Sequence, residues 1–353
     1  MRLYDKLIAA PGTLLDKSYY GSFTNLARGL RQSQCYIMGP DIASACEEVC
    51  FSKPSSILSA YKFIRSPYPH IWVEWTPNDR VKERTRQNDK PRPVRMGFYI
   101  NSTDDGNKGT VTYAWEHKED PVFREKLGID EITMNPFGII FDFTGDEPAM
   151  LQYARYIGMD ITEEELYKRD EAFREKYRKN MMVSDKWKTF ANREKELDAY
   201  IQLELSSGII PLEICQGVFE SPLGKYLKPG KDMFESYMED LSGEFAYTEA
   251  FLLMLNTKNK AVSQTKEDLS RLNKARAKKH KMPLKEFIVT DLNLNKTQTT
   301  HAGSLGITRA AARRHLVSGH FKTRSSGTYW YSAHIRGHSE NSPVARRQYD
   351  VHL

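Results

Sequence analysis

Three histidines lie close together near the C-terminal end of the sequence, in a segment rich in cations and aromatic rings. His315, His320 and His334 fall within Arg313–Gly337, which also holds four arginines, one lysine, two tyrosines and one tryptophan. Histidine suits general acid–base chemistry because its pKa is near neutrality, and Lys322 could stabilise a pentavalent phosphate. These are the parts of a metal-independent ribonuclease. Residue types alone do not establish catalysis, however, and contacts to phosphates or to backbone groups are the simpler interpretation.

The same segment fits a surface that binds nucleic acid. Strand-like alternation would place His320 and Lys322 on one face and Phe321 on the other, with tyrosines at 329 and 331 opposite Trp330. Cations on such a surface hold an RNA backbone while bases stack on exposed rings. The predicted nucleic-acid contacts are Lys274, Lys278, Arg309, Arg313, Arg314, His320, Lys322, Arg324, Tyr329, Trp330 and Arg336.

A helix-turn-helix is an alternative interpretation of part of this region. In Leu305–Gly319, Gly306 would serve the turn and Thr308 would cap a recognition helix that carries its arginines into the major groove. No clean preceding helix is found in Lys296–Ser304. A DNA-binding repressor therefore stands as a third hypothesis, beside an RNA-binding protein and a ribonuclease.

Charge is divided unevenly along the chain, and the division predicts two domains. From Arg271 to the end the sequence holds 16 Lys and Arg against 4 Asp and Glu, whereas the preceding residues hold 36 against 42. A basic segment behind an acidic body is typical of a module that faces a polyanion. We expect a helical and sheet body over residues 1–257 and a basic module over residues 258–353. RNA or a ribonucleoprotein is its expected partner.

Hydrophobic patterning predicts the elements that position these residues. Runs rich in aromatic and β-branched residues predict strands, whereas apolar residues at helical spacing predict helices. The predicted strands are His70–Trp75, Arg95–Ile100, Gly109–Trp115, Phe137–Phe143 and Leu284–Leu292. The predicted helices are Leu3–Ala9, Phe23–Leu30, Ile42–Val49, Ile57–Ile64, a charged stretch within residues 161–206, Phe234–Leu255, and one from about Thr265 to His280. We expect an α+β fold: helices packed on a small, mainly antiparallel sheet, followed by a basic C-terminal α/β-hairpin module.

Other candidate sites carry little chemistry. Cys46 and Cys50 are four residues apart and would lie on one apolar helix face, so no metal site is expected, and no cofactor is implied. Glu74 and Asp142 form no spacing that ties them to a reaction, and Glu74 should lie on the same side of its strand as Trp72. Four cysteines in so long a chain indicate a reducing, cytoplasmic setting. No apolar run is long enough to span a membrane, and no membrane partner is expected.

The residues Arg313, His315, Gly319, His320 and Phe321, with Tyr329 and Trp330 after the turn, follow an Arg-x-His-x-x-x-Gly-His-aromatic pattern. In this pattern the sequence resembles a family of phage and mobile-element proteins that includes a type V-A anti-CRISPR protein. The stretch Pro67–Trp75 looks like the first strand of that family's N-terminal domain.

The resemblance implies a phage-type anti-defence or regulatory protein. Such a protein would bind a host or defence-system protein, in that family a nascent polypeptide, and lower production of the target through loss of its mRNA. It would act in the cytoplasm of the host cell. The sequence departs from the family over Ser332–His338 and the basic tail beyond it, which leaves the identity of the recognised polypeptide open.

Overall fold

The computed structural model describes residues 2–9, 20–77, 93–117, 132–144, 193–204, 208–211, 244–293 and 315–336, and single residues between 164 and 182. The described helices are α1 (Leu3–Ala9), α2 (Tyr20–Gln32), α3 (Pro40–Ser52), α4 (Pro54–Ser59), α5 (Arg193–Glu204), α6 (residues 244–255) and α7 (Ser270–Ala277), with a 3-10 turn at Tyr61–Phe63. The strands are β1 (Gln34–Met38), β2 (His70–Trp75), β3 (Pro93–Ser102), β4 (Lys108–His117), β5 (Ile132–Asp142), β6 (Gly208–Pro211), β7 (Val262–Lys266), β8 (Ile288–Leu292), β9 (His315–Val317), β10 (His320–Arg324), β11 (Gly327–Tyr331) and β12 (His334–Arg336).

One large sheet organises the described part of the chain. It has eight strands in the order β6-β5-β4-β3-β2-β1-β8-β7. Strand β1 runs parallel to both of its neighbours, β2 and β8, and the other pairings are antiparallel. The predicted α+β class is therefore confirmed, but the sheet is mixed and larger than expected.

Side chains from the two faces of the sheet enter two hydrophobic clusters. Ile71, Val73 and Trp75 of β2 pack with helices α3, α4 and α6 in the larger cluster. Trp72 points the other way and packs with α1, α2 and Phe287 in the smaller one. The period-two alternation of a strand explains why neighbours in β2 reach opposite layers. The sheet is thus covered by helices on both faces.

Strands β1 and β7 were absent from the sequence prediction, for different physical reasons. Strand β1 is a five-residue buried run between two helices, and a short apolar run does not distinguish a strand from the end of a helix. Strand β7 has four exposed polar residues after Val262, so it lacks the apolar alternation that marks a strand. The prediction that Thr265 caps a helix was wrong, because Thr265 lies inside β7. Helix α7 begins at Ser270, whose N–H donates to Asp268 at 3.0 Å.

The sheet continues across the predicted domain boundary at residue 257. Strands β7 and β8 follow that boundary in sequence, yet β8 pairs directly with β1 near the start of the chain. Phe321 and Trp330, further along, belong to the larger hydrophobic cluster. The basic C-terminal segment is therefore packed onto the body and shares its core.

Candidate nucleic-acid interface

Strands β9 to β12 form a β-hairpin that is broken once along its length. Strands β10 and β11 pair antiparallel, with His320 opposite Tyr331 and Arg324 opposite Gly327. Beyond the break, β9 pairs with β12, and Val317 lies opposite His334, which continues the same register. Ser325 and Ser326 form the connecting turn, as the sequence predicted. Gly327 has φ +132°, a conformation that L side chains rarely adopt, so glycine is required there.

The inner face of this hairpin is apolar and buried against α4. Phe321 and Trp330 lie opposite each other on β10 and β11, are 3% and 5% exposed, and have ring centroids 5.0 Å apart. Gly319 is packed on the same tryptophan, because a Cβ atom there would lie 2.7 Å from its ring. The predicted role of Trp330 as a nucleic-acid contact was therefore wrong. Its side chain is a core residue that holds the hairpin to the body.

Hydrogen bonds fix both edges of the hairpin to the body. On the β10 edge, the N–H of Phe321 donates to Ser56 Oγ at 3.2 Å, and Thr323 Oγ1 donates to the carbonyl of Ser59 at 3.1 Å. On the β11 edge, Asn259 exchanges two hydrogen bonds with the backbone of Trp330, at 2.7 and 3.2 Å. The N–H of Lys258 also donates to the carbonyl of Thr328 at 2.8 Å. Paired edges and a buried inner face make the hairpin a rigid platform.

The outer face carries the cations and the tyrosines that the alternation predicted. We call the side chains of His320, Lys322, Arg324, Tyr329 and Tyr331 the outer face; all five are exposed or half-buried. The imidazole of His320 stacks on the ring of Tyr331, with centroids 5.6 Å apart and planes 16° apart. Lys322 Nζ lies 5.8 Å from the centroid of the same ring. The guanidinium of Arg324 lies 5.1 Å from the centroid of Tyr329 and donates to the Tyr331 hydroxyl at 3.1 Å.

The outer face has no carboxylate to neutralise it within the described residues. The sequence has no Asp or Glu from residue 292 to residue 339, a range that includes the whole hairpin. Neither Lys322 nor Arg324 forms an ion pair with any carboxylate in the part of the chain that the structure describes. Two cations that lie beside two tyrosine rings can bind phosphates at the same place where the rings stack bases.

The remaining predicted nucleic-acid contacts lie away from the outer face or outside the described residues. Lys274 lies on α7 and Lys278 just after it, and both are exposed. The chain that follows them reaches α2, where Lys285 Nζ donates to the carbonyl of Arg31 at 3.1 Å. Arg336 lies on β12, opposite His315 on β9. Arg309, Arg313 and Arg314 lie outside the described residues. The predicted helix-turn-helix was wrong at its C-terminal end, where His315–Val317 is a strand.

His320 and His334 are each held by a backbone carbonyl and lie apart along the hairpin. Nδ1 of His320 lies 3.0 Å from the carbonyl of Ser318, and Nδ1 of His334 lies 3.0 Å from the carbonyl of Ser332. A hydrogen bond to a carbonyl places the proton on Nδ1, which leaves Nε2 to face outward. The two histidines are three positions apart along the hairpin, about 10 Å at roughly 3.3 Å per residue. An acid and a base acting on one phosphate must both lie within hydrogen-bond reach of the reacting atoms.

The other candidate groups have structural roles. Glu74 is buried, accepts from the N–H of Tyr4 at 3.1 Å and from Trp72 Nε1 at 3.2 Å, and its pKa is raised by burial. It shares the side of β2 that Trp72 occupies, as predicted. Asp142 pairs with Lys108 at 2.8 Å, on the opposite half of the sheet.

The two cysteines of α3 behave as core residues. Cys46 and Cys50 are buried free thiols, and burial raises the pKa of each. Among the described residues, no cluster of three or more His, Cys, Asp or Glu could hold a metal ion. None of the described helices has the length and apolar character needed to cross a membrane.

The residues that support the outer face were not found from the sequence. Ser56, Lys258 and Asn259 are far from the hairpin along the chain, and nothing in their local pattern marks them as its partners. Tyr331 was placed on the correct face but was not named as a contact. No protein-family model matches this chain, and neither does any curated protein or solved structure.

Proposed function

We propose that this protein binds single-stranded RNA through the outer face of its hairpin. The observation that carries the proposal is the arrangement of Lys322 and Arg324 over the rings of Tyr331 and Tyr329, with no carboxylate in the surrounding sequence. The cations neutralise phosphates, and a base can stack on a guanidinium plane or on the ring beneath it. The buried inner face holds these groups in position before RNA arrives, which lowers the entropy lost on binding.

A strand surface with tyrosines favours unpaired bases over a duplex. Bases in a duplex are stacked on each other, so tyrosine rings on a flat surface reach them only when the strand is single. Duplex DNA readers instead insert a helix or a ribbon into the major groove. Among the described residues of this region, α7 is a helix with a basic face, but the segment 315–336 is entirely strands and turns.

We also propose that RNA binding serves a regulatory role, in which the protein lowers production or activity of a protein target. The support for this role is the motif shared with the phage and mobile-element family. In this chain Gly319, Phe321 and Trp330 of that motif pack together and shape the hairpin, whereas His320 and Tyr329 lie on the outer face. The motif is therefore a sequence signature for the platform that presents the RNA-binding groups.

Competition binding with the full chain tests the proposal. A labelled single-stranded RNA should be displaced by unlabelled single-stranded RNA at far lower concentration than by duplex DNA of the same length. Tyr329→Ala should weaken RNA binding by about 1–3 kcal/mol, or roughly 5- to 150-fold, because one stacking surface is lost. Tyr329→Phe keeps the ring and should bind nearly as the wild type does. Tighter binding to the duplex, or equal binding by the alanine and wild-type proteins, would contradict the proposal.

A further inference from the structure

A second basic feature lies far from the hairpin in sequence, at the turn that ends α7. The N–H of His280 donates to the carbonyl of Ala277, and the N–H of Lys281 donates to the carbonyl of Arg276, both at 3.0 Å. His280 has φ +51°, in the left-handed region. These two bonds around a left-handed residue form a Schellman cap. We call residues 278–282 the basic cap.

The basic cap is held rigidly at its base. Asn273 Nδ2 donates to the carbonyl of Leu284 at 2.9 Å, and the N–H of Leu284 donates back to Asn273 Oδ1 at 2.7 Å. Arg276 Nε donates to the carbonyl of Met282 at 2.8 Å, an exposed bond that closes the turn. The chain then enters the core through the fully buried Phe287. The cap therefore projects as a fixed structure from an anchored base.

The surface of this segment is strongly cationic. No Asp or Glu occurs from residue 269 to residue 285. Its exposed cations are Arg271, Lys274, Lys278, Lys279 and Lys281. Within the described residues none of these five cations forms an ion pair with a carboxylate. Lysines at a helix C-terminus also stabilise the helix dipole, so charge alone does not assign a ligand.

The left-handed residue adds a second, independent observation. Glycine is the usual residue at this position of the cap, since an L side chain there costs about 1 kcal/mol. This chain places His280 there, fully among the lysines and exposed to solvent. An exposed imidazole in a strained position does not stabilise the turn. It offers a ring nitrogen and a stacking surface at the tip of the cap.

We propose that the basic cap is a second contact for RNA. In this contact Lys278 and Lys281 bind phosphates of the RNA backbone, and the His280 imidazole contacts the RNA directly. This inference rests on the proposed RNA binding and extends it to a site on a different part of the molecule. A membrane surface fits less well, because only two large apolar side chains, Met282 and Leu272, are exposed in the described residues of this segment, at 77% and 47%. Interfacial binding needs a continuous apolar face of a helix.

The test uses the full chain with a 30-nucleotide single-stranded RNA over a salt series. The variants are Lys278→Ala with Lys281→Ala, His280→Gly, and a matched control, Lys179→Ala with Lys266→Ala. The control removes two lysines that are paired with Glu175 and Glu286, so it changes net charge without touching the cap. The double cap variant should lower the slope of log affinity against log salt by about 1.4, since each phosphate contact contributes about 0.7 for a single strand. An effect on helix stability alone would leave that slope unchanged.

The glycine variant separates a role in binding from a role in folding. His280→Gly should keep or raise the melting temperature, because glycine adopts the left-handed conformation freely. RNA affinity should fall by about fivefold, because one stacking surface is lost. Affinity equal to that of the wild type would overturn the role of His280. A cap double variant with the slope of the control, or binding to anionic phosphatidylserine vesicles in preference to RNA, would overturn the cap as an RNA contact.

The hairpin variant Lys322→Ala with Arg324→Ala separates this inference from the proposed function. Loss of affinity in the hairpin variant and not in the cap variant rejects the cap and retains the outer face. The reverse result retains the cap and rejects the outer face. If both sites bind RNA, each double variant lowers the salt slope. A variant that combines all four substitutions should lower the slope by the sum of the two decreases.

Discussion

Asn259 lies in a loop at the surface, yet its side chain should contribute strongly to holding the hairpin against the body. Its side chain exchanges two hydrogen bonds with the backbone of Trp330, at 2.7 and 3.2 Å, and so pairs the β11 edge as a neighbouring strand would. Asn259→Ala removes both bonds and leaves a buried N–H and a buried carbonyl without that partner. At about 1–2 kcal/mol for each group, the free energy of opening the hairpin should fall by about 2–4 kcal/mol.

Hydrogen exchange followed by mass spectrometry reads this opening directly. A loss of about 2–4 kcal/mol should speed exchange of backbone amides in peptides covering residues 320–331 by roughly 30- to 700-fold, where exchange proceeds through local opening. Asn273→Ala is the matched control, because Asn273 makes the same two-bond clamp on Leu284. That variant should speed exchange near residues 278–285 and leave the hairpin protected. Unchanged protection of residues 320–331 in Asn259→Ala would refute the anchoring of the hairpin through Asn259.

Two further predictions concern stability. Gly327→Ala should destabilise the protein by about 1–3 kcal/mol in urea unfolding, because φ +132° strains any L side chain and the new Cβ would lie 2.9 Å from the Lys258 side chain; a variant as stable as the wild type would contradict the described turn. Burial opposes ionisation of Asp142, but hydrogen bonds from Lys108 and Thr144 outweigh it and lower its pKa. A carboxyl with a lowered pKa stabilises the fold above its unfolded-state pKa of about 3.9 and loses that contribution as pH falls. Asp142→Asn should therefore be less stable than the wild type by about 1–2 kcal/mol at pH 7, and the difference should shrink below pH 4; a difference that is the same at pH 3 and pH 7 would contradict the ion pair.

The elements with strong local patterns were predicted well from the sequence. Helices α1 to α3 show helical spacing of apolar residues, and strands β2 to β5 are runs rich in aromatic and β-branched residues, because their side chains enter the two hydrophobic clusters. The same alternation placed His320 and Lys322 on the opposite face from Phe321. Strand β1 and the polar edge strand β7 were not predicted, since neither five-residue sequence has an apolar pattern that distinguishes a strand from a helix end or a loop.

The role of Trp330 shows where sequence reasoning about the site fails. A tryptophan between two tyrosines in a basic segment looks like a stacking platform, and alternation shows that it faces away from them. Alternation does not show which face of an isolated hairpin is buried. In the structure the face that carries Phe321 and Trp330 joins the larger hydrophobic cluster, and Ser56 on α4 and Asn259 after α6, both distant in sequence, bind the edges of the hairpin.

The salt dependence of RNA binding by the Lys322→Ala and Arg324→Ala double variant tests the outer face most directly. Loss of two phosphate contacts should lower the slope of log affinity against log salt by about 1.4 relative to the wild type and to the Lys179→Ala and Lys266→Ala control. The ratio of wild-type affinity to hairpin-variant affinity should accordingly fall about sevenfold between 50 and 200 mM salt. A hairpin variant with the affinity and slope of the control would contradict RNA binding by the outer face.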